Sequence, residues 1–265
     1  MEETTVRAGS VELRVRRTGS GEPLLLLHGV TDSGACWSRV AADLADGFAV
    51  VAADARGHGR SSRIGQGFGV EDQVEDAAAV LRATADGPVA VWGHSMGAAT
   101  AAALAAAHPE LVSRVVLEDP PFSEDGDDGP SLEEVRGGIG RMLAEVRAAA
   151  PADRIRLARA SNPDWDAAEL PGWVESKLQF DDQVLDEPII GGDWRATAER
   201  IEAPVLLVTG DPDRGAIVTP STAAAFAALH PGTALLRFPG AGHNVHREAY
   251  DEVLAAVRDF LGSGN

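Results

Sequence analysis

The chain has 265 residues, a formal net charge of −18, hydrophobic residues at 45% and a single cysteine, Cys36. That length suits one large domain, or one domain with an insertion, and the charge opposes a nucleic-acid backbone or an anionic membrane as partner. No apolar run approaches the roughly 18 residues of a membrane span. The first residues, MEETTVRAGSVELRVRRTGSG, lack the apolar stretch of a secretory leader, and one cysteine admits no internal disulfide. A cytoplasmic protein is the expectation.

Short apolar runs alternate with helical patterns along the first 119 residues. Strands are predicted at VELRVRR (11 to 17), PLLLLHG (23 to 29), FAVVAAD (48 to 54), VAVWGH (89 to 94) and RVVLEDP (114 to 120). Helices are predicted at 37 to 46, 70 to 85 and 96 to 110. The fully apolar runs suit central strands, while VELRVRR alternates and suits an edge. Strands that alternate with helices predict a mainly parallel sheet covered on both faces.

The alternation stops near residue 120. A loop rich in Pro, Gly and Asp follows, with EDGDD at 124 to 128, and then helical segments run to about residue 200. Residues 120–200 carry 18 acidic and 9 basic residues, a net −9 and half of the total charge. Strand and helix signals resume with PVLLVTGD, TPSTAAAFAALH, TALLRFPG and a last helix. The expected organisation is therefore an α/β core of residues 1–119 and 201–265 interrupted by a helical insertion, 120–200. Trp165, Trp173 and Trp194 all fall in the insertion.

In an open parallel sheet, ligands bind at the carboxyl ends of the strands. Ser95 lies there, in GHSMG, between an apolar strand and an alanine-rich helix; this strand-turn-helix setting suits a nucleophile. A serine needs a base, and His243, in FPGAGHNVHRE, follows a late strand in the same way. His246 is the rival base, while His28 and His94 are expected to shape the pocket. Asp213, in VTGDPDRG, is favoured as the acid because it gives the order Ser, Asp, His. Glu118 and Asp119 also end an earlier strand; Glu118 is ranked second and Asp211 third.

Five motifs in order, HGV at 28 to 30, DARGHGRS at 54 to 61, GHSMG at 93 to 97, GDPD at 210 to 213 and GAGH at 240 to 243, resemble those of the α/β-hydrolase fold superfamily. The resemblance implies that the insertion is a helical cap. It also implies that Ser95, His243 and an acid form a triad, with the backbone N–H groups of Val30 and Met96 as the oxyanion hole. Gly29 would let the loop approach substrate, and Arg56 and His58 would brace the site. GDPD continues here with Arg-Gly where many relatives continue with apolar residues. An acid after the earlier strand, which some relatives use, keeps Glu118 in view.

These features lead to a serine hydrolase acting on a small ester, lactone or thioester, with a neutral or hydrophobic substrate. Carbon–carbon bond hydrolysis and a perhydrolase reaction use the same framework, and a ligand-binding receptor with little turnover is the reading of another class. Trp165, Trp173, Trp194, Phe122 and Phe180 are candidate pocket walls. No spacing suggests a metal site, a dinucleotide loop or a phosphate loop, so no cofactor is expected.

Overall fold

Residues 2–18 pair with themselves: β1 (Glu2–Ala8) and β2 (Val11–Thr18) form an antiparallel hairpin in which Val6 faces Leu13. The computed structural model describes residues 2–65, 67–122, 131–188 and 192–262. β2 then joins β4 (Phe48–Ala53) antiparallel, and β3 (Glu22–Leu27) pairs with β4 in parallel. Beyond them β5 (Val89–His94), β6 (Val112–Glu118), β7 (Val205–Thr209) and β8 (Ala234–Arg237) add in parallel, giving, among the described residues, eight strands in the order 1-2-4-3-5-6-7-8. VELRVRR is thus the second strand and not the edge. β1 was missed because only Val6 of its seven residues is buried, which leaves no apolar alternation to read.

Helices cover both faces. On one, α1 (Ser38–Leu44) packs Val40, Ala41 and Leu44 against Leu24, Leu26 and Trp92. On the other, α2 (Val70–Thr84) and α3 (Met96–Ala107) pack alanines and valines against Leu25, Val91, Val115 and Leu117. Because successive strand residues face opposite sides, Val115 and Leu117 join one core and Val116 the other. Leu24, Leu25 and Leu26 are all fully buried, as a central strand covered on both faces requires.

Between β6 and β7 lie α4 (Leu132–Ala148), α5 (Arg154–Ser161), α6 (Glu169–Gln179) and α7 (Trp194–Ala198). α4 starts with a capping box, in which Ser131 Oγ accepts from Glu134 N and the Glu134 carboxylate accepts from Ser131 N. Leu143 packs with Phe68 and Phe180, and Val146 with Trp165, Leu170 and Trp173. α7 differs from the other three: Ala198 belongs to the core of the sheet, and Trp194 stacks on Phe122 at 5.3 Å. The acidic segment 124–128 lies outside the described residues. After β7 come α8 (Pro220–Leu229), α9 (Val245–Glu248) and α10 (Tyr250–Gly262), with Val253 and Val257 of α10 closing the face that α1 covers.

Candidate active site

The chain reverses sharply where β5 meets α3, and Ser95 occupies the turn with φ 53° and ψ −119°. A non-glycine residue held there stores on the order of 1–3 kcal/mol of strain, so the packing around it must over-determine the conformation. Gly97 is one reason it can. A Cβ at that position would lie 2.2 Å from the Leu27 carbonyl oxygen, so only glycine lets α3 approach β3 this closely. Ser95 N also donates to the Glu118 carbonyl oxygen at 2.9 Å, tying the turn to the end of β6.

His243 stands two residues before α9, on the loop after β8. Its Nδ1 donates to Asp119 Oδ2 at 2.6 Å, and its Nε2 accepts from Ser95 Oγ at 3.0 Å. The carboxylate can only accept, which fixes this tautomer and leaves Nε2 free to take a proton from the serine. Asp119 is fully buried with φ 42°; its two oxygens also accept from Ile217 N at 2.8 Å and Val218 N at 2.9 Å.

The acid in contact with the histidine is therefore Asp119, and neither Asp213 nor Glu118. Asp213 sits exposed in the short turn Pro212–Arg214. The loop after β7 contributes two backbone N–H groups to the site where a carboxylate was expected. Asp211 serves that loop, accepting from Arg237 and from Gly240 N. Glu118 shares the side of β6 on which Val116 lies, under the site, where Oε1 accepts from His246 Nδ1 at 2.7 Å and from His246 N at 2.8 Å. Trp92 Nε1 donates to its other oxygen at 3.1 Å. Burial opposes ionisation of Glu118, but His246 and its hydrogen bonds hold the pKa down to about 2.

His246, the rival base, is thus committed to Glu118 and stacks on Trp37 at 4.5 Å, away from Ser95. His94 Nε2 donates to the His243 carbonyl oxygen at 2.9 Å, and burial pushes its pKa down to about 3, so it acts as a neutral brace. His28 bridges two loops, accepting from Ala55 N and donating to Gly29 O. Arg56 makes a two-point contact with Asp76, and His58 donates to Arg56 O; both stand in the packing under the site.

A cavity of about 350 Å³ opens beside Ser95 and His243. Gly29, Val30, His94 and Met96 line it, as do Pro121, Val135, Ile139 and Ile217. Trp165 and Trp173 stand in the wall, whereas Trp194 and Phe122 stack with Phe226 and Phe180 packs around Leu143. Trp194 looked equivalent to the other two in sequence; the segment 194–198 returns to the sheet before β7 begins, and this removes it from the wall. Gly29 is pressed against Ser95 and His94, since a Cβ there would lie 2.9 Å from His94 Nδ1 and 3.2 Å from Ser95 Cβ. Three buried charges also line the cavity and were not singled out from sequence: Asp32 bonds Lys177 Nζ and an Arg247 guanidinium nitrogen, each at 2.7 Å. Their signal was weak, because they come from three segments 70 or more residues apart in the chain.

The sequence pattern of the alpha/beta hydrolase fold family matches residues 22–250. The 2-(acetamidomethylene)succinate hydrolase of Mesorhizobium japonicum is 29% identical over 97% of this chain and 94% of its own. Lipase LipV of Mycobacterium tuberculosis is 33% identical over 74% of this chain and 69% of its own. Among solved structures, the esterase RhEst1 from Rhodococcus sp. ECU1013 superposes with a TM-score of 0.78 at 24% identity, covering 100% of both chains. The chain belongs to the alpha/beta hydrolase fold family.

Proposed function

We propose that this protein is a serine hydrolase that cleaves a small carboxylic ester, lactone or thioester through an acyl-enzyme on Ser95. The observation that carries the reading is the continuous chain Ser95 Oγ, His243, Asp119, which opens on the cavity that Val30 and Met96 also line. Ser95 Oγ attacks the carbonyl carbon while His243 Nε2 takes its proton. The C=O electrons move onto oxygen, and the N–H groups of Val30 and Met96 hold that oxyanion, helped by the positive end of α3. Collapse expels the leaving group, which receives the proton from His243. Water then repeats the sequence: His243 takes its proton, the acyl group leaves as a carboxylic acid, and Ser95 regains its hydrogen.

The helices α4 to α6 act as a cap over this site in the proposal, because Val135, Ile139, Trp165 and Trp173 supply one wall of the cavity. The mixture of aliphatic and indole surface suits a neutral or hydrophobic group of modest size. A lipase and an esterase among the similar proteins support ester cleavage, and the 2-(acetamidomethylene)succinate hydrolase supports hydrolysis more broadly. The test is brief treatment with a fluorophosphonate followed by peptide mapping of the wild type and Ser95→Ala. One adduct on Ser95, absent from the variant, is expected; a wild type that takes up no label refutes the reading.

A further inference from the structure

The loop that carries Val30 is not held by its own sequence. Asp32 N donates to Gly29 O at 3.1 Å, closing a turn whose third residue, Thr31, has φ 68°. That region suits glycine and is avoided by β-branched residues, so a threonine remains there only if something outside the turn holds it. The structure supplies such a holder. Lys177, from α6, is fully buried, and its three ammonium hydrogens are met by Thr31 O at 3.2 Å, Asp32 Oδ1 at 2.7 Å and Ser176 Oγ at 3.1 Å. Asp32 Oδ2 accepts from Arg247 at 2.7 Å, and the Arg247 guanidinium carbon lies 4.4 Å from the centre of the Trp165 ring. Three parts of the protein therefore meet on Asp32: the Val30 loop, the helices between β6 and β7, and the helix that follows His243.

We propose that Lys177 is a positioning residue, which holds the strained Gly29–Asp32 turn so that the Val30 N–H faces the oxygen of the reacting carbonyl. The inference rests on the serine-hydrolase reading for its catalytic consequence, but the clamp itself is a statement about the turn. Burial disfavours ionised Asp32, and the adjacent Arg247 and Lys177 overcome this and hold its pKa well below the usual range. Asp32 is thus ionised at neutral pH and accepts from both Lys177 and Arg247. Lys177 has no hydrogen left for a substrate, so its effect must pass through the turn.

The test uses the full-length protein with Lys177→Met, which keeps the length of the side chain and removes the donors, and with the milder Ser176→Ala, which removes one acceptor. Hydrogen exchange at the Asp32 amide reads closure of the turn whether or not Ser95 reacts. Fluorophosphonate labelling of Ser95 reads the oxyanion site. Faster exchange is expected in Lys177→Met, with labelling slowed on the order of tenfold to a hundredfold, and the same changes to a smaller degree in Ser176→Ala. Thr31→Gly, which relieves the strain, should restore most of the labelling rate in the Lys177→Met chain. A role in stability alone would give no such rescue. Unchanged exchange at Asp32, labelling at the wild-type rate, or no recovery with Thr31→Gly each overturns the proposal. Loss of labelling in the wild type itself, with exchange behaving as described, would refute the hydrolase reading and leave the clamp standing.

Discussion

Replacing Asp119 by asparagine changes one oxygen to an NH2 group and nothing else in size. The carboxylate takes three donors: the His243 imidazole, Ile217 N and Val218 N. An asparagine offers one oxygen, which cannot serve all three. If that oxygen stays with Ile217 and His243, the amide NH2 meets the Val218 N–H, donor against donor. If it turns to Val218, the NH2 faces His243 Nδ1, drives the proton to Nε2, and leaves the imidazole unable to accept from Ser95. Wrong-tautomer losses of this kind run to about 10⁴ in kcat in the chymotrypsin-type triad, equivalent to roughly 5 kcal/mol. Asp119→Asn should therefore lower kcat with p-nitrophenyl acetate by about 10³ to 10⁴ with little change in KM. Asp213→Asn, at an exposed position, should stay within about twofold of wild type. A tenfold or smaller loss in Asp119→Asn, or a large one in Asp213→Asn, would refute the assignment of the acid.

Other consequences follow from the same geometry. Glu118→Gln should cost about 2 kcal/mol of stability in urea unfolding, because it leaves a buried donor badly matched, while kcat falls less than tenfold. The wild type should lose about 3 kcal/mol of stability as pH falls from 4.5 to 2, since Glu118 is ionised in the fold down to about 2 and must be protonated there. His94 adds to the loss over a higher range: the unfolded chain takes up its proton below pH 6.5, whereas the fold resists until about 3, so stability declines as pH drops between them. Unfolding curves across that range check both, and a stability that is flat from pH 6.5 to 2 contradicts them. Gly97→Ala should prevent folding or lower stability by more than about 3 kcal/mol, because its Cβ would meet backbone that cannot move aside. Trp173→Ala should extend the accepted acyl chain, seen as a raised kcat/KM for a longer ester relative to acetate.

The core was legible because its physics is local. Leu24 to Leu27 and Val89 to Trp92 are apolar runs of strand length, and the alanines of 96 to 107 have the highest helix propensity of any residue. Ser95 and His243, which the structure brings to 3.0 Å of each other, stand out in the sequence for the same reason, as residues just beyond predicted strands. The carboxylate that His243 touches does not, because the choice between Glu118 and Asp119 depends on which way the chain turns as it leaves β6. Alternation carries Glu118 under the sheet's end with Val116, and the positive φ of Asp119 swings the next side chain up to His243. The clamp of Lys177, Asp32 and Arg247 was hidden further still: each residue reads as an ordinary surface charge until the fold brings 32, 177 and 247 together. β1 gave no signal because its strand is set by pairing with β2 and not by burial.

The most direct measurement is rapid acid quenching of the wild type during turnover of p-nitrophenyl acetate, with intact mass and peptide mapping at each time. An acetyl group on Ser95 should accumulate within the burst of p-nitrophenol and persist longer in Asp119→Asn, where water is activated poorly. Turnover with no acetyl group on Ser95 at any time would contradict the account at its centre.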